Sequence, residues 1–326
     1  MIRLASPPYT GRELRWIADS YEQAQRVRVQ TGERIRAVLQ GRDETWGAQN
    51  VATGDADSVL ATIKKGDTLG PVTLLGQAYK WHWDLEREMF RALGGCLQTH
   101  PAWPWISQIK GIGPTLAGKL LARLRIEEAD TPSAFWAYCG LATVPGTEYR
   151  CSTCGLSVGF PASYQVSGTH QQLGSKRKCV GRLEVASGPD DGTRVAQPSA
   201  TRGMTAPYDR RAKQVCYLIG TAFLKAGGPY EEFYRRQRAK LDVERPGWAT
   251  VRKHLTCLRK AEKLFLSHLW LVWREAVGLP ITMPYIMREE QGFIAPEEMT
   301  GPSSTPRLSR SSAHQKLPSR SAMQPV

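Results

Sequence analysis

Residues 106–124 read ISQIKGIGPTLAGKLLARL, two apolar helical patterns separated by Gly-Ile-Gly-Pro. Glycine is costly within a helix, and proline cannot occupy a helix interior. The stretch is therefore restricted to helix, tight turn, helix. Ile106 and Ile109 belong to the first apolar face, Ala117, Leu120 and Leu121 to the second, and Ile112 turns down between them. Gly111 and Gly113 permit positive φ and the close approach of another backbone. Pro114 opens the second helix at its first position, where a missing N–H costs nothing. This is a helix-hairpin-helix pattern. Its turn amides and the dipole of the second helix point at one spot, a seat for a nucleic-acid phosphate. Lys110, Gly111, Ile112, Gly113, Thr115 and Lys119 are the residues expected around it. Such contacts hold the backbone and not the bases, and give affinity without sequence choice. The plainer alternative is a glycine turn between two core helices.

Charge favours the first reading. Lys and Arg number 44 against 30 Asp and Glu, a net charge of +14 over 326 residues. That balance points to a polyanionic partner, nucleic acid ahead of a membrane surface. DNA is the expected partner and structured RNA the alternative. Arg210, Arg211 and Lys213, in the segment PYDRRAK, and the basic run 235–240 could line a groove. Each alone is as readily a solvated face. No segment reaches the ~18 consecutive apolar residues of a membrane span. The N-terminus, MIRLASPPYTGRELRW, has no apolar leader core. The seven cysteines are odd in number and scattered, which suits a reducing cytoplasm better than a disulfide framework.

Only Cys151 and Cys154 lie close together, in CSTCG. A Cys-x-x-Cys followed by glycine is a knuckle that aims two thiolates at one metal. Cys179 is the obvious third ligand. His170, the only histidine of the surrounding segment, is the best fourth, with Cys139 as a substitute. Without metal, a polar segment of this kind would bury too little to fold. The expected cofactor is structural Zn²⁺. Mg²⁺ is implied only if the chain cleaves strands.

The remaining organisation is helical. Leu14, Ile17, Tyr21, Ala24, Val27, Thr31, Ile35 and Val38 form one narrow stripe, and Leu75, Ala78, His82, Leu85, Met89 and Ala92 a second. Leu75, Leu85 and Met89 are expected to pack against Ile17, Tyr21 and Ile35, within the chain or across a homo-oligomer. Residues 41–56 read as a loop. The fold class is mainly α: a helical hairpin or coiled-coil arm over 1–100, a helix-hairpin-helix segment resembling the second domain of RuvA over 101–146, and a small β-rich zinc-ribbon-like insertion with a flexible return linker over 147–203. Further helices follow over 204–290, with His268 on an apolar face as a core histidine, then a disordered basic tail over 291–326.

The segments IKGIGPTLAGKLLARL, FWAYCGL (135–141) and PYDRRAKQVCYLIGTAF, in that order, resemble the C-terminal half of the insertion-sequence 110/116/902 family of transposases. The segment KLFLSHLWLVWREAVGLPITMPY (263–285) is similar to the end of short transposase-like proteins with a zinc-knuckle insertion. The resemblance covers roughly residues 70–290 and implies DNA transposition or recombination. The family's full-length members carry a RuvC-like nuclease domain with four acidic metal ligands. Here residues 1–100 read as helical, and Asp19, Glu22, Glu33, Asp84, Glu86 and Glu88 as surface acids. The family also carries a serine nucleophile shortly after the Gly-Leu of the second motif. This chain has ATVPGTEYRCS there, offering only Thr143, Thr147 and Ser152. A catalytic assignment therefore stays open. The alternative is an accessory protein that binds DNA or RNA structure without cutting it.

Overall fold

The computed structural model describes residues 11–42, 53–66, 73–162, 170–172, 177–197, 206–281 and 294–300. Helix α1 (Gly11–Leu39) and α3 (Thr73–Gln98) run antiparallel, joined through α2 (Thr53–Lys65). Helix α2 falls partly in the segment read as a loop, of which residues 43–52 lie outside the described residues. The stripe of α1 is buried as expected at Leu14, Ile17, Tyr21, Ala24, Thr31, Ile35 and Val38, while Val27 is half-buried. In α3 the inner face is Tyr79, Glu86, Met89, Leu93 and Leu97. Leu85 was expected on it, but is 45% exposed. The buried line keeps a seven-residue spacing through Tyr79, Glu86 and Leu93, one residue and thus about 100° beyond the expected Ala78, Leu85 and Ala92. Midway along the hairpin the Arg28 guanidinium pairs with the Glu86 carboxylate, which also accepts from Gln25. This polar layer pins the register of the two helices.

The arm does not stand apart from the rest. Its open end joins a single apolar core with α4 (Trp103–Ile106), α5 (Pro114–Leu121), α6 (Pro132–Tyr138), α7 (Arg210–Ala226), the start of α8 (Pro229–Glu244) and α9 (Thr250–Ala276). A second cluster at the far end of the arm unites Ile35, Val38, Leu60, Ile63 and Tyr79. Helix α9 is the central post. Leu264 through Trp270 are all at most 2% exposed, so this stretch is covered on every side. Its polar groups are satisfied accordingly. His268 accepts or donates at Nδ1 with the Tyr230 hydroxyl (2.9 Å) and reaches the Ile294 carbonyl through Nε2 (2.9 Å). Burial lowers its pKa to about 4, the core histidine the sequence suggests.

Between α6 and α7 the chain leaves the core as a small antiparallel sheet. Strand β1 (Thr143–Cys151) pairs with β2 (Ser157–Pro161), β5 (Leu183–Ser187) and β6 (Arg194–Ala196), while β3 (His170–Gln171) pairs with β4 (Lys178–Cys179). The sheet thus begins within the segment assigned to the hairpin domain. Residues 187–197, read as flexible linker, contain a turn of 3₁₀ helix (Pro189–Asp191) and β6. Of the expected tail, residues 294–300 are packed. A 3₁₀ turn (Pro296–Met299) buries Met299, and Trp105 Nε1 donates to the Pro296 carbonyl at 3.0 Å. Residues 301–326 lie outside the described residues. No described helix is long and apolar enough to cross a membrane.

Candidate metal centre and nucleic-acid interface

Strand β1 ends at Cys151, and the next three residues turn so that the amides of Thr153 and Cys154 both donate to the Cys151 sulfur, at 3.3 and 3.4 Å. Gly155, at φ +70°, closes that turn. Across the way, β3 and β4 are in register with His170 directly opposite Cys179. The Cys179 sulfur accepts from the amide of Gly181 (3.3 Å), a second half-knuckle. Cys151 Sγ and Cys179 Sγ are 3.8 Å apart, and Cys154 Sγ lies 3.5 Å from His170 Nε2. Ligand atoms of all four residues lie within 4.8 Å of one another, a group that can hold a metal ion. The Cys154 amide, with that of Thr153, holds the Cys151 thiol below its ordinary pKa. At Cys179 the Gly181 amide also lowers the pKa, but burial and the thiols of Cys154 and Cys151 outweigh it and raise the group overall. Thiols that share one charge behave this way, and a cation would relieve the conflict. Cys139 is elsewhere, fully buried beside Cys216.

Two further residues serve this centre. Gly181 is confined: a Cβ there would lie 2.4 Å from Thr153 Oγ1 and 2.6 Å from Cys151 Sγ. Its spacing, two residues after Cys179, was a legible signal of the second half-knuckle. Arg252, on α9, docks the sheet onto the helices. It bonds Glu148 Oε1 (3.0 Å) and the Ser157 carbonyl, and its guanidinium lies 3.8 Å from the Trp248 ring centre. Beside this contact runs a cleft of about 640 Å³ lined by Arg150, Ser187, Arg245 and Trp248 among others. Nothing local in the sequence marks Arg252 as a tether to the sheet, because Glu148 and Ser157 lie about a hundred residues away.

The hairpin has the expected outline with different internal duties. Ile109 and Ile112 are buried, and Lys110, Gly111 and Gly113 face solvent. Gly111 has φ +88°, as the turn requires. The backbone that approaches it belongs to α7: a Cβ at Gly111 would lie 2.8 Å from the Ala222 carbonyl oxygen. Gly113 differs from the expectation. It is extended (φ −94°, ψ 178°), precedes α5 as its N-cap, and has nothing within 4 Å of a built Cβ. Thr115 shares a hydrogen bond with the Tyr21 hydroxyl.

Two of the expected DNA cations are engaged within the chain. Lys119 is 8% exposed, with Nζ 3.5 Å from Glu22 and 5.2 Å from the Tyr21 ring centre. Arg211 pairs with Asp19 at 3.0 Å, and the same carboxylate binds Arg123 at 2.7 Å. Asp19 and Glu22, read as surface acids, are thus the hub that ties α1 to α5 and α7. Arg210 is exposed, and Lys213 lies over the Tyr208 ring at 4.3 Å. They are not beside the hairpin. Gly111 touches α7 at Ala222, twelve residues from Arg210, or about 18 Å at 1.5 Å per residue. Lys110 and Arg210 are thus set apart, while Lys119 and Arg211 meet within one network at Asp19, Glu22 and Arg123. No family model, no curated protein and no solved structure matches the chain.

Proposed function

We propose that the chain is a nucleic-acid-binding protein of the transposase-like type, which grips the DNA backbone through its helix-hairpin-helix and carries a zinc-stabilised insertion. The observation that carries this reading is the hairpin itself. Lys110, Gly111 and Gly113 are exposed at its tip, just before the half-buried first turn of α5, above a buried Ile109 and Ile112, on a chain of net charge +14. A helix N-terminus with an adjacent lysine attracts a phosphate. Salt-dependent retention of duplex and junction DNA tests it. Lys110→Ala is expected to leave the fold intact, weaken binding to all sequences alike and reduce the salt slope by about one. Equal slopes for both proteins would make the hairpin a core turn only.

Zinc is the metal that the centre suits. Tetrahedral bonds of about 2.3 Å to sulfur and about 2.0–2.1 Å to nitrogen set S···S near 3.8 Å and S···N near 3.5 Å. Those are the separations seen at Cys151–Cys179 and Cys154–His170. His170 Nε2 faces the thiols, so it is the ligand atom. Three thiolates and one imidazole form a closed set with no position left for substrate, the mark of a structural site. That gives the metal a stabilising role in the insertion. The chain purified under reducing conditions is expected to hold about one zinc, and Cys154→Ser to lose it.

A further inference from the structure

The turn that joins α6 to β1 is flanked by cations that form no ion pair among the described residues. Lys263, on α9, lies over the Trp136 ring with Nζ 4.8 Å from its centre, and Trp136 Nε1 donates to the Lys263 carbonyl at 3.1 Å. Lys213 lies over Tyr208, and Gly140 is packed beneath both: a Cβ there would be 2.8 Å from the Tyr208 ring and 3.0 Å from Lys213 Cδ. Arg194, from β6, donates to the Thr143 hydroxyl at 3.1 Å and to the Thr143 carbonyl. Arg259 stands one helical turn before Lys263 and acts electrostatically on it and on Glu262. Among the described residues none of these four cations forms an ion pair.

Among the described residues the acid that acts on them is Glu262, 4% exposed and packed against Gly220. Burial raises its carboxyl to about 7, although Arg259 and Lys213 pull the other way. Lys263 is pushed down to about 8, by burial first and then by Arg259 and Arg194. Like charges held together in partly buried positions are costly unless an anion joins them.

We propose that Arg194, Lys213, Arg259 and Lys263 form a binding site for a phosphate group, with Trp136 and Tyr208 as its aromatic walls. A tetrahedral oxyanion can accept from several donors that arrive from different elements, and guanidinium groups suit it through paired N–H donors. The source we assign is a backbone phosphate of bound nucleic acid, and in that respect the site rests on the function proposed above. Free inorganic phosphate offers the same chemistry. Through Arg194 on β6 the site joins the sheet to the helical core.

The test uses the full-length protein, Lys263→Gln and Arg259→Gln. Inorganic phosphate, at ionic strength matched with chloride, is expected to raise the Tm of the wild type and not that of either variant. In phosphate-free buffer each variant is expected to match or exceed the wild-type Tm, because one repelling cation has gone. Each is also expected to lower the salt slope of DNA binding by about one. A wild type that phosphate does not stabilise, with DNA slopes unchanged in both variants, overturns the site. If that happens while Lys110→Ala still weakens DNA binding, the proposed function survives without it. If phosphate stabilises the wild type alone but DNA is not bound, the anion site stands and the nucleic-acid reading falls.

Discussion

At Gly111 a side chain would meet the Ala222 carbonyl at 2.8 Å, on a backbone at φ +88°; at Gly113 it would meet nothing. The two glycines of one motif therefore carry unequal duties. Gly111→Ala is expected to cost about 2 kcal/mol or more, from positive-φ strain and from displacement of α7. Gly113→Ala is expected to cost less than about 1 kcal/mol, the difference between glycine and alanine at an N-cap. Urea unfolding of both variants checks this, and equal losses would contradict the placement of α7. Glu262 supplies a pH-dependent term. Its folded pKa, raised by burial to about 7 from 4.5, means that the folded state holds the proton more tightly. Its contribution is thus full below about pH 4.5 and is lost as pH rises through about 7, roughly 3 kcal/mol in all. Glu262→Gln is expected to flatten that part of the stability profile, measured by denaturant unfolding at pH 5 and pH 8.

At the scale of elements, the knuckle is a close-packed object. Gly181 sits so near Thr153 and Cys151 that a methyl group there must push the two half-knuckles apart. Gly181→Ala is expected to weaken metal affinity by about 10- to 100-fold, the range for disturbed support of metal ligands. Competition with a chromogenic chelator reads this directly, and an unchanged affinity would mean that the turn relaxes freely. The arm is held by a different device. Its two helices meet mainly through apolar side chains, with the Arg28–Glu86–Gln25 layer set among them. That layer sets which residues face each other, because any slip would leave Arg28 partly buried without its partner.

Across the whole molecule, the sheet and the helices have separate sources of stability. The main apolar core draws on the helices and the 3₁₀ turn at Pro296–Met299, with no residue from the strands. The sheet contributes Cys151 and Val195 as its buried apolar side chains. Chelation of the metal is therefore expected to loosen residues 143–197 and leave the helical core intact. Hydrogen exchange with and without chelator checks this: protection lost in β1 and β5 but retained in α9 is the expected pattern, and global loss would refute it. The Arg252 contacts to Glu148 and Ser157 then act as the tether between the two parts.

What the sequence determined by itself was everything governed by a few neighbouring residues. The glycine turn before Pro114, the knuckle at Cys151–Gly155, the stripe of α1 and the placement of His268 on an apolar face all follow from local spacing. His170 was identified as fourth ligand because it is the only histidine of its segment, and its strand pairs it with Cys179. Tertiary structure decided what each of these features touches. Lys119 reads as a phosphate ligand until Glu22 and Tyr21, about a hundred residues earlier, are seen to cover it. Gly111 reads as an opening for a ligand until α7 is seen to fill it. The four cations around the α6–β1 turn, at 194, 213, 259 and 263, form no pattern along the chain. Local propensity acts over one or two turns, whereas burial and Coulombic interaction act through space, so the partners of a charge become legible only once the fold has brought distant segments together.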